Sequence, residues 1–181
     1  MTHLPIWYLQ TINPEDCDKA IEELGKFESK DATMGVDGEA KSHQHRNTSV
    51  VFAPYDYWLA DKMTAVAHEA NAACGWDYLV EGREAIQFAR YGEGQHYHWH
   101  VDTFTLAGRP TDRKITCVAL LNDVSEWEGG ELQLRLYQEY KAPLEKGTVI
   151  AFPSILEHRV TPVLKGFRYT ATIWFNGPRF R

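Results

Sequence analysis

The sequence predicts a mainly β fold, a double-sheet jelly roll of about 7–8 strands with two helices packed on one sheet. Three observations carry that expectation. The hydrophobic period switches from helical to alternating near residue 84, two amphipathic helical segments precede the switch, and short β-branched or aromatic runs separated by Gly, Pro, Asp and Asn follow it. A chain of 181 residues with 44% apolar content can bury one sizeable core. One domain over 1–181 is therefore expected, with helical support over about 1–80 and a strand core over about 84–176.

Taken in order, Ile6–Leu9 reads as an edge strand. Asn13 can cap the helix that follows, Pro14 suits its first position, Glu15 and Asp16 favour the positive end of its dipole, and Cys17, Ala20, Ile21 and Leu24 recur at helical spacing. Residues 29–48 are polar and aperiodic, with Gly35, Gly38, His43, His45, Arg46 and Asn47, and predict a mobile loop that can serve as a substrate lid. Ser49–Ala53 is a short strand. A second helix carries Leu59, Met63, Val66, Ala67, Ala70 and Cys74 on one face until Gly75 stops it. The remaining strands are predicted at 84–91, 97–103, 115–122, 131–136, 147–152, 159–163 and 168–175; Leu132, Leu134 and Leu136 alternating with Gln133 and Arg135 give the half-buried pattern most plainly.

Composition narrows the partners. A net charge of -6 and a pI near 5.7 disfavour nucleic acid and anionic membranes, and no apolar run is long enough to span a bilayer. Cys17, Cys74 and Cys117 are odd in number and sit in apolar patterns, which suits buried thiols in a reducing compartment. With no basic segment followed by an apolar run at the start, the expected location is the cytoplasm.

The chemistry centres on 91–102, Tyr-Gly-Glu-Gly-Gln-His-Tyr-His-Trp-His-Val-Asp. On a strand, His100 and Asp102 share a face roughly 6.5 to 7 Å apart, close enough to hold one metal ion. His158 is the candidate third ligand, and two histidines with one carboxylate form the facial set of non-haem Fe(II), with three positions left open. His96 and His98 share the same parity, so spacing alone equally allows His98, His100 and His158, a three-histidine site of the kind zinc favours. If the strands 159–163 and 168–175 form a hairpin turning near Lys165 and Gly166, Arg168 comes beside His158 and can grip the far end of a metal-chelating dicarboxylate.

The ordered series Tyr-Gly-x-Gly-x-x-Tyr-x-x-His-x-Asp, Leu-Leu-Asn, Gly-Gly-Glu-Leu, Gly-Thr-Val-Ile-Ala-Phe-Pro-Ser and His-Arg-Val-Thr-Pro-Val-x-x-Gly-x-Arg resembles the Fe(II)- and 2-oxoglutarate-dependent dioxygenases of the prolyl 4-hydroxylase type. It is most similar to the bacterial and phage branch called PKHD-type hydroxylases. The resemblance covers about 84–176 and implies a double-stranded β-helix of the cupin-like kind. It implies that His100, Asp102 and His158 bind iron, that Arg168 and Tyr91 hold the distal carboxylate of 2-oxoglutarate, and that Thr172 and Trp174 line the cosubstrate pocket. Tyr97 and Arg113 would face the metal and the substrate entrance; Trp99 and Arg46 are further substrate-side expectations. At Leu120 the human-type oxygen-sensing enzymes carry a second cosubstrate tyrosine, and collagen-type enzymes have a lysine in place of Arg168.

The implied activity is hydroxylation of a C–H bond, foremost that of a prolyl residue in a protein or peptide, coupled to conversion of 2-oxoglutarate and O2 to succinate and CO2. Ascorbate is a candidate auxiliary reductant. Other readings of the same chain are a hydroxylase of a free amino acid or small metabolite, a nucleic-acid demethylase, and a jelly-roll binding protein without catalysis.

Overall fold

The computed structural model describes residues 5–24, 26, 29–31, 45–103 and 109–180. In chain order the elements begin with β1 (Tyr8–Thr11), α1 (Pro14–Leu24), β2 (Ser29–Asp31), β3 (Arg46–Asn47), β4 (Ser49–Phe52), α2 (Leu59–Ala73), β5 (Gly82–Arg83) and β6 (Gln87–Tyr91). They continue with β7 (His96–His100), β8 (Thr111–Leu120), β9 (Trp127–Gly129), β10 (Leu132–Arg135), β11 (Glu139–Lys141), β12 (Thr148–Pro153), β13 (Glu157–Val160), β14 (Val163–Gly166) and β15 (Arg168–Pro178). Strands β2 and β3 lie near the two ends of the stretch expected to be a loop, and residues 32–44 of it, with His43 and the body of the lid, lie outside the described residues.

Apart from β9 and β14, which pair only with each other, the strands form two facing antiparallel sheets, the expected jelly roll. The larger runs β1-β12-β8-β15-β6-β4-β2, with β5 against the end of β15; the smaller runs β11-β10-β13-β7-β3. Alternation divides the larger sheet. Ile115, Cys117, Ala119, Ala171, Ile173 and Phe175 face the helices and join Cys17, Ala20, Met63 and Ala67 in one apolar cluster. Val118, Ile150 and Phe152 face inward, where they meet Leu132, Leu134 and Val160 of the smaller sheet. Helix α2 ends as the sequence suggests, with Gly75 at φ 63, where a side chain is disfavoured. None of the described helices is long and apolar enough to cross a membrane.

One expected pairing is overturned. β13 and β15 are not a hairpin: β13 lies between β10 and β7 in the smaller sheet, whereas β15 lies between β8 and β6 in the larger. The physical reason is the connection. Pro162 has no N–H to extend β13, and the chain then pairs as β14 with β9, so it crosses between sheets before β15 begins. At Gly166 (φ 74) a Cβ would collide with the Glu126 carbonyl oxygen, so only glycine fits this crossing. Arg168 therefore stands opposite Tyr91, not His158.

Candidate active site

His158 and His100 are directly paired across β13 and β7. Asp102 lies two residues beyond the end of β7, tied down by its N–H donating to the Ser154 carbonyl at 2.9 Å. The three offer ligand atoms that all lie within 4.8 Å of one another. His158 Nε2 is 3.4 Å from Asp102 Oδ2, and His100 Nε2 is 3.6 Å from Oδ1. Each imidazole is oriented from behind: Nδ1 of His100 meets the His98 carbonyl at 2.7 Å, and Nδ1 of His158 meets the Leu156 carbonyl at 2.9 Å. A carbonyl can only accept, so both Nδ1 atoms carry the proton and both Nε2 lone pairs point to the shared space.

Asp102 is held as firmly. Trp174 Nε1 and Thr116 Oγ1 each donate to Oδ2 at 2.8 Å. Because the Thr116 hydroxyl gives its one hydrogen to the carboxylate, Ser154 Oγ, 2.9 Å away, donates to it in turn. Two donors on Oδ2 leave Oδ1 the freer oxygen for a cation. Burial by itself would push this carboxyl up, but the imidazoles of His158 and His100 outweigh it and hold Asp102 well below the usual carboxylate range. Burial, seconded by the neighbouring His158, pushes His100 down to about 3, so it is a neutral ligand at neutral pH. For His158 burial acts downward too, but the Asp102 carboxylate wins and raises it. A neutral imidazole, an ionised carboxylate and a second imidazole on one side of a cavity are the donor set that suits ferrous iron.

A β-bulge decides which histidines belong. His158 pairs with His100, but Val160 pairs with Tyr97, so three steps along β7 match two along β13. Strict alternation would place Tyr97 on the opposite face from His100. Instead both line the cavity, their rings stacked at 3.5 Å and 13°. His98 is exposed and contacts the rings of His96 and His45, away from the ligand set. The three-histidine alternative is thereby removed. Trp99 is also turned outward, between the guanidiniums of Arg135 and Arg159 at 4.3 and 4.6 Å, so its expected place in the substrate wall is not met.

The larger sheet supplies the other wall. Arg168, Thr170, Thr172 and Trp174 of β15, Gln87, Ala89 and Tyr91 of β6, and Thr116 and Val118 of β8 all line the cavity. Arg168 is 1% exposed, and its Nε and Nη2 have no hydrogen-bond partner among the described residues. Burial lowers its pKa to about 10, which still leaves it a cation at neutral pH. A buried guanidinium with two open N–H donors, in the same cavity as three metal ligands, fits a dicarboxylate whose other end chelates the metal. Leu120 is fully buried opposite Thr170 and does not reach the cavity lining.

Arg46 also lines the cavity, with its guanidinium over the Tyr97 ring at 4.6 Å. Arg113 does not: it stacks behind Trp174 at 3.9 Å and is matched by Glu84 at 2.5 and 2.6 Å. Its charge nonetheless acts on Asp102 and Tyr97. Sequence reading missed Thr116, Ser154 and Gln87. Thr116 had one usable signal, a polar residue at a position whose alternation faces inward in an otherwise apolar run, 115–121.

Comparison with known proteins agrees with this geometry. Residues 86–176 match the family model described as the 2OG-Fe(II) oxygenase superfamily. A PKHD-type hydroxylase of Picosynechococcus sp. is 31% identical over 91% of this chain and 74% of its own length, and one from Xylella fastidiosa is 37% identical over 49% of this chain and 42% of its own. Among solved structures, a Pseudomonas putida prolyl-4-hydroxylase has a TM-score of 0.72 at 19% identity, covering 99% of this chain and 95% of that one. The viral collagen prolyl hydroxylase of Paramecium bursaria Chlorella virus-1, in its 2OG complex, has a TM-score of 0.71 at 22% identity, covering 96% and 97%. Matched by the family model across its strand core, and by a relative across most of its length, the chain belongs to the 2OG-Fe(II) oxygenase superfamily.

Proposed function

We propose that this enzyme hydroxylates a C–H bond of a prolyl residue in a protein or peptide, with 2-oxoglutarate converted to succinate and CO2. The observation that carries the cosubstrate assignment is Arg168, a buried cation with open donors on the wall across from His158. The prolyl assignment is supported by the structural neighbours, among them a Trichoplax adhaerens prolyl hydroxylase in complex with a hypoxia inducible factor peptide fragment, at TM-score 0.68.

In this reading His100, Asp102 and His158 hold ferrous iron, which when bound supplies oxygen activation coupled to loss of CO2 from 2-oxoglutarate. The chain does the rest. Trp174 and Thr116 fix the Asp102 carboxylate, and the two backbone carbonyls fix the imidazole planes. Arg168 and Tyr91 grip the distal carboxylate, while Thr172 and Trp174 border the cosubstrate. Tyr97, Leu132 and Val160 keep water from the reacting atoms. Ascorbate would restore the metal after unproductive turnover. The helices back the sheet that bears Arg168, so the whole chain works as one domain. Three free, buried cysteines fit a reducing cytoplasm.

The test is succinate release from Fe(II)-loaded enzyme offered proline-rich peptides, free amino acids and methylated oligonucleotides, with mass spectrometry of each acceptor. Peptide-dependent succinate with one added oxygen on proline is expected. Stimulation by either other class alone contradicts the prolyl assignment and leaves the cosubstrate chemistry standing.

A further inference from the structure

Arg46 is a second guanidinium in the cavity wall, and nothing among the described residues neutralises it. Nη2 donates to the neutral Gln87 Oε1 across the gap between the sheets, and the buried Nε has no partner among the described residues. No carboxylate is seen paired with it among the described residues. Arg113 differs in that Glu84 cancels its charge. Asp102 is the one carboxylate among the described lining residues, and it is committed to His100, His158, Thr116 and Trp174.

The charges in the cavity can be followed through loading. Ferrous iron brings two positive charges and 2-oxoglutarate brings two negative ones. Arg168 and Asp102 offset each other in sign. Counted over the described residues, the loaded cavity therefore retains one positive charge, at Arg46. A neutral acceptor would leave that cation uncompensated in a partly dehydrated site, whereas a carboxylate would neutralise it through charge-assisted hydrogen bonds.

Position says which molecule brings the carboxylate. Arg46 pairs with Tyr97 across β3 and β7, its guanidinium lies 4.6 Å over the Tyr97 ring, and that ring lies 3.5 Å over His100. Arg46 is thus one aromatic layer from a metal ligand, at the wall opposite in sequence and sheet to Arg168. A substrate passing along the edge of the Tyr97 ring would meet the metal at one end and Arg46 at the other. We propose that Arg46 is a specificity-determining residue that binds a carboxylate on the hydroxylated residue or on the residue next to it. The inference rests on the oxygenase reading and narrows its substrate class to acceptors with an anionic group beside the reactive C–H bond.

The experiment uses the full chain loaded anaerobically with Fe(II) and 2-oxoglutarate, reading the visible metal-to-cosubstrate band as probes are added. The probes are N-acetyl-L-proline against N-acetyl-L-prolinamide, and N-acetyl-L-prolylglycine against its terminal amide. In the wild type at least one acid should bind about tenfold or more tightly than its amide. Arg46→Gln should bring that pair within about twofold and Arg46→Lys should keep part of the preference, with 2-oxoglutarate affinity changed less than about twofold. Equal binding of acid and amide by the wild type, binding of no probe, or a matching loss of 2-oxoglutarate affinity in Arg46→Gln would overturn the inference. Absence of the visible band in the wild type would overturn the oxygenase reading and the inference with it, which tells the two failures apart. The wild-type comparison needs no variant to fold.

Discussion

The two faces of β15 are made of the same strand and do opposite work. Ala171, Ile173 and Phe175 point at the helices, are at most 1% exposed, and belong to the apolar cluster shared with them. Arg168, Thr170, Thr172 and Trp174 point at the cavity, where two buried donors of Arg168 find no partner among the described residues and Trp174 reaches across to Asp102. The period of two lets a single strand bind the fold together with one face and hold chemistry on the other. Open donors on the cavity face are costly in the free protein, and the helix-covered face offsets that cost.

The sharpest break of this comparison is on the cavity side. Asp102→Ala should lower Fe(II) or Mn(II) affinity beyond the roughly 100-fold typical of losing an outer-shell partner, measured by anaerobic titration. On the helix side, Phe175→Ala should cost about 3–5 kcal/mol in denaturant unfolding, while metal affinity of the folded protein changes by less than about tenfold. The two variants should thus separate binding from stability. Trp174→Phe tests the bridge between ligand and strand: the ring is kept and the N–H to Oδ2 is lost, so metal affinity should fall by about 10-fold to 100-fold with only a small stability change.

The smallest effect lies far from the cavity. Glu23 accepts hydrogen bonds from Trp58 Nε1 at 3.0 Å and Tyr57 OH at 2.6 Å, which hold its carboxyl below the ordinary 4.5. A carboxylate lowered by folding stabilises above its unfolded pKa and loses that contribution as pH falls through the folded one. The wild type should therefore be more heat-stable than Glu23→Gln at pH 7, and the difference should shrink below about pH 4.5. A difference that grows toward acid would contradict this sign.

Local chemistry made much of the fold legible. Pro14 and Gly75 mark helix ends because one fixes φ and the other tolerates a positive φ, and the alternation of Leu132 and Leu134 marks an inward face. The His100–Asp102 pair was legible for the same reason, since both ligands come from one short segment. Non-local pairing was not. Nothing in residues 96–100 announces the bulge that brings Tyr97 onto the face of His100 and turns Trp99 away. Arg168 was assigned to the right cavity through a wrong neighbour: it faces the metal ligands from the opposing sheet, beside Tyr91. Trp174 and Asp102 are 72 residues apart, and only the folded sheets bring them within 2.8 Å.

The central claim is that one cavity holds a metal at the histidines and a distal carboxylate at Arg168. Its most direct test compares Mn(II)-dependent binding of 2-oxoglutarate with that of 2-oxopentanoate, which keeps the chelating end and lacks the second carboxylate. The wild type should prefer the dicarboxylate by about 100-fold, and Arg168→Met should reduce that preference to about threefold or less with metal affinity retained. A full preference surviving in Arg168→Met would contradict the account.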